Sequence, residues 1–366
     1  MAGSVQRRML ELQADRIEMV LAAHQAAGRV WGGVISPRVI TFNLTPLMGT
    51  RLRKITQLSE EIAMALGVSY CRIYREEGTL RVEIPREDGR QVSLLELCRQ
   101  VRPAVPGTAV LGVEKGGKTL MVRLSSPDVV HILVSGTTGS GKTELLRAIV
   151  ASMAYLHRQS DCQIVLVDPK GRGLRVFDGL PHLLYPPAST IPDAVTVLTD
   201  IVIEMERRDR LGIDRPQIVV VVDELADLLM QGGEEVERSL TRLVQRGRGA
   251  GVHVIAATQK PSAEVISSLL RSNFPMRIVG RVVNPADAYL AAGVGGTNAE
   301  RLMGRGDMLA VLQGQIIRFQ AAHIPEPAIH HLVQWLRNRY AGRAVLDVPA
   351  APDAGGIIPM NSGGMR

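Results

Sequence analysis

The sequence predicts an α/β protein, a parallel sheet wrapped by helices and preceded by a small α+β domain. Three observations carry that expectation. Near-continuous apolar runs occur at His131–Val134, Ile164–Val167, Ile218–Val222 and Val252–Ala257. Unalternated Val/Ile runs suit strands buried on both faces. Longer helical patterns separate the runs, and alternating strand and helix predicts a sheet with helices packed on each side.

Before residue 108 the texture differs. Residues 1–30 look helical, and Gly32-Gly33 with Ser36-Pro37 read as turn chemistry. Ile40, Phe42 and Leu44 alternate with Thr41 and Asn43, the period of a half-buried strand. Leu58, Ile62 and Leu66 recur every four residues and Gly67 follows, a helix with a glycine stop. Two alternating segments, Cys71–Ile73 and Leu80–Ile84, flank Glu76–Thr79 and predict a hairpin. A short helix around Leu94–Arg99 completes a domain spanning 1–105. Residues 106–344 form the α/β domain, and 345–366, rich in Pro, Gly and Ala, form a flexible tail.

Composition narrows the function. Of 366 residues, 46% are hydrophobic but only 3% aromatic, so the cores are built from aliphatic side chains. The net charge of +7 suits an anionic partner such as nucleic acid and says nothing of fold. Cys71, Cys98 and Cys162 are scattered and form no C-x-x-C, which argues against a disulfide framework or zinc site and for a reducing, cytoplasmic setting. No signal peptide opens the chain. The longest apolar stretch, Ile218–Met230, is interrupted by Asp223, Glu224 and Asp227, so no membrane span of about 20 residues is expected.

The strongest local signal is Gly136-Thr137-Thr138-Gly139-Ser140-Gly141-Lys142-Thr143, which fits G-x-x-x-x-G-K-[ST] at every fixed position. An apolar strand precedes it, and a helix with Leu145, Leu146, Ile149, Val150 and Met153 follows. Glycines let backbone N–H groups curl toward phosphate oxygens, and the helix N-terminus adds partial positive charge. Lys142 is expected at the β/γ-phosphates of ATP and the Thr143 hydroxyl on magnesium. Two strands end in Asp, at Asp168 and Asp223, but only Asp223 is followed by Glu. Asp223 is therefore the expected magnesium residue, with a helix cap as the alternative role. Glu224 is the expected general base toward water. Asp168, in Asp168-Pro169-Lys170, is either a structural turn or part of the site edge. The strand at Val252–Ala257 ends in Thr258-Gln259, where Gln259 can orient water or sense hydrolysis.

Seven ordered blocks make these residues resemble a family: Val134–Thr143, Val167–Lys170, Gly179–Leu184, Glu204–Arg208, Val222–Leu228, Ala257–Ser262 and Gly306–Leu309. Along most of 105–340 the chain resembles the motor of the FtsK/SpoIIIE family of double-stranded DNA translocases, and its first domain resembles that family's N-terminal motor subdomain. The resemblance implies a RecA-like core and a hexameric ring with duplex DNA in its pore, pumped by ATP hydrolysis. With no membrane span expected, a recruiting protein partner is what would hold the chain at a membrane. The resemblance places a trans-acting arginine at Arg248, with a surface or phosphate-binding arginine as the alternative. It places DNA contact at Lys260, after the Thr-Gln strand. The neighbouring family loop carries a Lys and an Arg where this chain has Pro285 and Tyr289. Arg277 and Arg281 precede that loop and can compensate, or can serve structural ion pairs. The family's membrane anchor and C-terminal winged-helix module have no counterpart in the sequence. A related ATPase that moves a polypeptide at a membrane complex is the alternative expectation.

Overall fold

The computed structural model describes residues 2–341 apart from Glu77, Glu87, Asp88, Arg90 and residues 263–265. The tail expected at 345–366 lies outside the described residues. Two compact units divide the chain, Met1–Gln91 with Lys115–Lys118, and Val92–Glu114 with Thr119 onward.

The first unit is a four-stranded antiparallel sheet with helices. Helix α1 (Ala2–Ala23) leads into β1 (Gly28–Ile35) and β2 (Val39–Pro46), followed by α2 (Leu52–Thr56), α3 (Ser59–Leu66), β3 (Arg72–Glu76) and β4 (Thr79–Pro85), in the sheet order β1-β2-β4-β3. The expected alternation at Ile40, Phe42 and Leu44 faces inward and joins Ile17 and Leu21 of α1, Ile62 and Leu66 of α3, and Val82 and Ile84 of β4. Gly67 ends α3 in the left-handed conformation (φ 68°), as its position suggests. The expected hairpin forms, with Glu76 opposite Thr79. Gly32-Gly33 is not a turn between elements. Both lie inside β1 at a register irregularity, and a Cβ on Gly33 would sit 2.4 Å from the Thr41 carbonyl oxygen. Close cross-strand approach, not chain reversal, explains that glycine.

The second unit carries α4 (Leu94–Val101), β5 (Thr108–Glu114), β6 (Thr119–Arg123), β7 (Ile132–Ser135), α5 (Lys142–Leu156), β8 (Cys162–Val167), α6 (Ile191–Leu211), β9 (Gln217–Val222), α7 (Leu225–Arg246), β10 (Val252–Thr258), α8 (Ser268–Ser272), β11 (Met276–Val279), α9 (Pro285–Ala292), β12 (Asp307–Leu312), β13 (Gln315–Ala321) and α10 (Glu326–Ala341). The sequence texture assigned the helix near Leu94 to the first domain. It belongs here, because Leu94, Leu97 and Cys98 bury against Ala109, Leu111 and the α5 core.

The nine strands run β6-β5-β13-β12-β11-β7-β10-β9-β8. Strands β11, β7, β10, β9 and β8 are parallel neighbours, as the apolar runs predict. The sheet as a whole is mixed, because β12, β13, β5 and β6 extend it antiparallel. The central strands bury both faces. Ile132, Val134, Val219, Val221, Ile255 and Ala257 meet α5 on one side. Leu133, Val220, Val222, Val254 and Ala256 meet α6 and α7 on the other. Burying each of these Val, Leu and Ile side chains contributes about 1.5–3 kcal/mol. That anchors the strand ends from which the site residues project.

Candidate nucleotide site

The β7–α5 loop is shaped by glycines that no other residue replaces easily. Gly139 and Gly141 have φ of 78° and 103°. A Cβ on Gly141 would lie 2.6 Å from the Gly306 nitrogen, so a main-chain wall stands directly behind the loop. That wall is bonded to the loop at several points. Gly306 N–H donates to Ser140 O (2.7 Å), Arg305 N–H to Gly139 O (2.8 Å), and Thr137 N–H to Arg281 O (2.8 Å). These partners are carbonyls and amides, which leave no side-chain signature, and sequence reasoning did not assign them to the cradle. Of them, only Gly306 falls in a family block, Gly306–Leu309.

Lys142 opens α5 and is buried, its ammonium donating to Gly136 O (2.7 Å) and Thr137 O (3.1 Å). Burial pulls its pKa down, while Glu224 and Asp223 push it up, with a net lowering. The acidic pair that follows β9 lies close enough to Lys142 to act on its charge. Thr143 Oγ1 donates to Asp223 Oδ1 at 3.0 Å. The cap alternative for Asp223 is thereby corrected, since Glu224 occupies the N-cap position of α7 and Asp223 points to Thr143. Burial and the neighbouring Asp168 hold the Asp223 carboxyl above the usual range.

Glu224 is 6% exposed, and its Oε1 accepts from Thr258 Oγ1 (3.1 Å) and Gln259 N–H (3.1 Å). In the sheet, β10 lies between β7 and β9, so the tip of β10 bridges the phosphate loop and the Asp-Glu strand. Gln259 completes the bridge, its side-chain oxygen accepting from Thr138 Oγ1 at 2.8 Å. Lys142, Thr143, Asp223, Glu224 and Gln259 therefore come together around the loop. Lys170 ion-pairs with Asp227 at the site's edge.

The other expected residues lie apart. Arg248 is exposed beyond the C-terminal end of α7, at the opposite end of the parallel strands from the phosphate loop. The turn that presents it is pinned by buried Arg208, which donates to Ala250 O (3.3 Å), Pro216 O (2.6 Å) and Glu204 Oε1 (2.7 Å). The Glu204–Arg208 block is thus a support for that turn. Lys260 is exposed next to Gln259. Arg277 is turned inward, donating to Leu290 O (3.3 Å) and Arg271 O (3.5 Å), with burial lowering its pKa. Its guanidinium is directed to main-chain carbonyls of this chain. Asn284 caps α9 by accepting from Asp287 N–H (2.8 Å), with Pro285 in the first turn. The departure at Pro285 is therefore a helix start, and Tyr289 is exposed on that helix.

A glycine-lined loop at a helix N-terminus, a buried lysine and threonine opening that helix, and an Asp-Glu pair at the end of β9 that meets the threonine define a P-loop ATPase. The FtsK/SpoIIIE family model matches residues 100–214 and 210–263, and the FtsK alpha domain model matches residues 2–86. "DNA translocase FtsK" of Staphylococcus aureus (strain Mu50) is 34% identical over 351 residues, covering 87% of this chain and 44% of that protein. The Pseudomonas aeruginosa protein of the same name is 32% identical, covering 87% of this chain and 45% of that protein. This chain belongs to the FtsK/SpoIIIE family, and it spans less than half the length of those relatives. Among solved structures, the pCW3 conjugation coupling protein TcpA with ATPγS superposes with a TM-score of 0.62 at 17% identity, over 88% of this chain and 99% of that one. The Thermomonospora curvata secretion ATPase EccC, determined with a signal sequence peptide, gives 0.56 at 20% identity, over 70% of this chain and 50% of that one. At that identity these two show a shared fold.

Proposed function

We propose that this chain is an ATP-driven motor that moves double-stranded DNA, working as one subunit of a ring, the family's hexamer, in the cytoplasm. What carries the proposal is the convergence of Lys142, Thr143, Asp223 and Glu224 in a chain whose relatives are named DNA translocases. No helix among the described residues is long and apolar enough to cross a membrane.

Thr143 and Asp223 fit magnesium. They set a hydroxyl and a carboxylate oxygen 3.0 Å apart, the hard oxygen donors that this ion prefers, beside a cradle of backbone amides. Bound there, magnesium supplies charge neutralisation at the phosphates. Lys142 is the fixed cation of the cradle. Glu224 takes two hydrogen bonds on Oε1, which leaves Oε2 to accept a proton from the attacking water. Gln259 links that carboxylate to Thr138 of the loop, so a change at the phosphates reaches the β10 tip and Lys260 directly. Arg248 lies far from its own subunit's cradle and suits a neighbour's, where it stabilises transition-state charge.

DNA binding by such a motor rests on phosphate contacts, so it falls steeply with salt. Steady-state ATP hydrolysis with linear duplex at low and high salt tests this. Stimulation by duplex that fades with salt supports the reading, and turnover indifferent to duplex at low salt rejects it. The polypeptide-moving alternative draws on the Pro285/Tyr289 replacement and on the peptide-bound EccC. Stimulation by a signal-sequence peptide and not by duplex favours it.

A further inference from the structure

Asp168 is buried at the end of β8, and its carboxylate does not face the phosphate cradle. Its Oδ1 accepts from Gly171 N–H (3.1 Å), and its Oδ2 from Gly173 N–H (2.8 Å) and Leu174 N–H (2.9 Å). Three main-chain bonds to one carboxylate fix the course of the 171–174 loop. Arg147 of α5 grips the same loop from the other side, donating to Gly173 O (2.7 Å) and Arg172 O (3.3 Å). Between these anchors Gly173 is pressed against the metal residues. A Cβ at that position would lie 2.6 Å from Asp223 Oδ2, 3.0 Å from Asp223 Cγ and 3.0 Å from Thr143 Cγ2. Its φ lies outside the left-handed region, so the glycine is required by space and not by backbone conformation.

We infer that the Asp168–Leu174 loop is a positioning device for the Asp223 carboxylate, with Asp168 and Arg147 as its anchors and Gly173 as its bearing surface. Arg147 sits on the helix that carries Lys142 and Thr143. The loop thus ties the two halves of the magnesium site, one on α5 and one on β9, to a common main-chain strut. The side chain of Asp223 rests on the strut on one face and on Thr143 Oγ1 on the other. The inference rests on the reading of Thr143 and Asp223 as the metal residues, and is independent of DNA.

The test is calorimetric binding of ATPγS in EDTA and across a magnesium titration, with Gly173→Ala, Asp168→Asn and Arg147→Met beside the unaltered chain. The expected result is nucleotide affinity in EDTA within about twofold of the unaltered chain, with the magnesium midpoint raised about tenfold or more. Gly173→Ala retains all three bonds to Asp168 and decides the matter where Asp168→Asn does not fold. Arg147→Met decides where both fail, since its side chain is on the rim and partly exposed. Midpoints unchanged in the folded variants overturn the inference, as does equal weakening with and without magnesium, the mark of general distortion. An unaltered chain whose affinity ignores magnesium overturns the metal reading, and this inference falls with it.

Discussion

Replacing Gly141 by alanine tests the cradle, with Gly139→Ala as its internal control. Both residues hold positive φ, 103° and 78°, so both variants carry backbone strain. In the left-handed region that strain is about 1–2 kcal/mol, and farther from any favoured well about 1–3 kcal/mol. The surroundings differ. A Cβ on Gly139 meets nothing within 4 Å, whereas one on Gly141 meets the Gly306 nitrogen at 2.6 Å and its Cα at 3.0 Å. Those atoms are main chain, held by the Gly306 N–H bond to Ser140 O, and cannot rotate away. Overpacking of that kind costs about 1–3 kcal/mol. Gly141→Ala should therefore lose about 2–6 kcal/mol and Gly139→Ala about 1–2. At roughly 2–4 °C per kcal/mol for a domain of this size, the two melting temperatures separate by several degrees. Thermal melts of the nucleotide-free proteins, with ATPγS titrations of each, give the readout. Equal melting temperatures for the two variants refute the argument that the 304–306 segment braces the loop.

Glu224→Gln should abolish multiple-turnover hydrolysis while ATPγS affinity stays within a few fold, checked by a coupled assay and calorimetry, because the amide keeps its Oε1 contacts but cannot take a proton. Asp223→Asn should melt higher than the unaltered chain without nucleotide. The folded carboxyl titrates above its unfolded value, so its charge costs stability once pH exceeds the folded pKa, and the amide removes that cost. The same variant should lose the magnesium dependence of nucleotide binding. Acid should unfold the second unit through buried histidines. His131 is pushed down to about 3, and His182 and His253 to about 4, all by desolvation first. A lowered histidine pKa gives stability that is whole above pH 6.5 and is lost as pH falls through that value toward the folded pKa. Between pH 7 and pH 5 each costs about 2 kcal/mol, and urea midpoints should fall accordingly. His182→Gln should flatten that slope, and an unchanged slope would assign the acid sensitivity elsewhere.

The site was legible where chemistry demands fixed spacing. The phosphate loop needs its glycines, Lys142 and Thr143 within eight residues, and Asp223-Glu224 stands at the end of an apolar run, so both could be read before the fold was known. The parallel strands were legible because burial on both faces leaves Val/Ile runs. The antiparallel extension was not, since β12, β13, β5 and β6 come from distant parts of the chain and pair through main-chain bonds that any sequence can make. Gly33 misled because a close cross-strand approach and a turn ask for the same residue. The surroundings of Arg277 were not legible, because an arginine before a loop looks alike whether it faces solvent or caps carbonyls. Asp168 shows the converse. Its position at a strand end was visible, but its work is done on amides three to six residues later, and only coordinates reveal that the loop it shapes lies against Asp223.

The central claim is that hydrolysis at this site moves duplex DNA. Displacement of a triplex-forming strand from one end of a linear duplex measures that movement itself. The account predicts displacement with ATP and magnesium, none with ATPγS, and none by Glu224→Gln. Vigorous DNA-stimulated hydrolysis that leaves the third strand in place would contradict it.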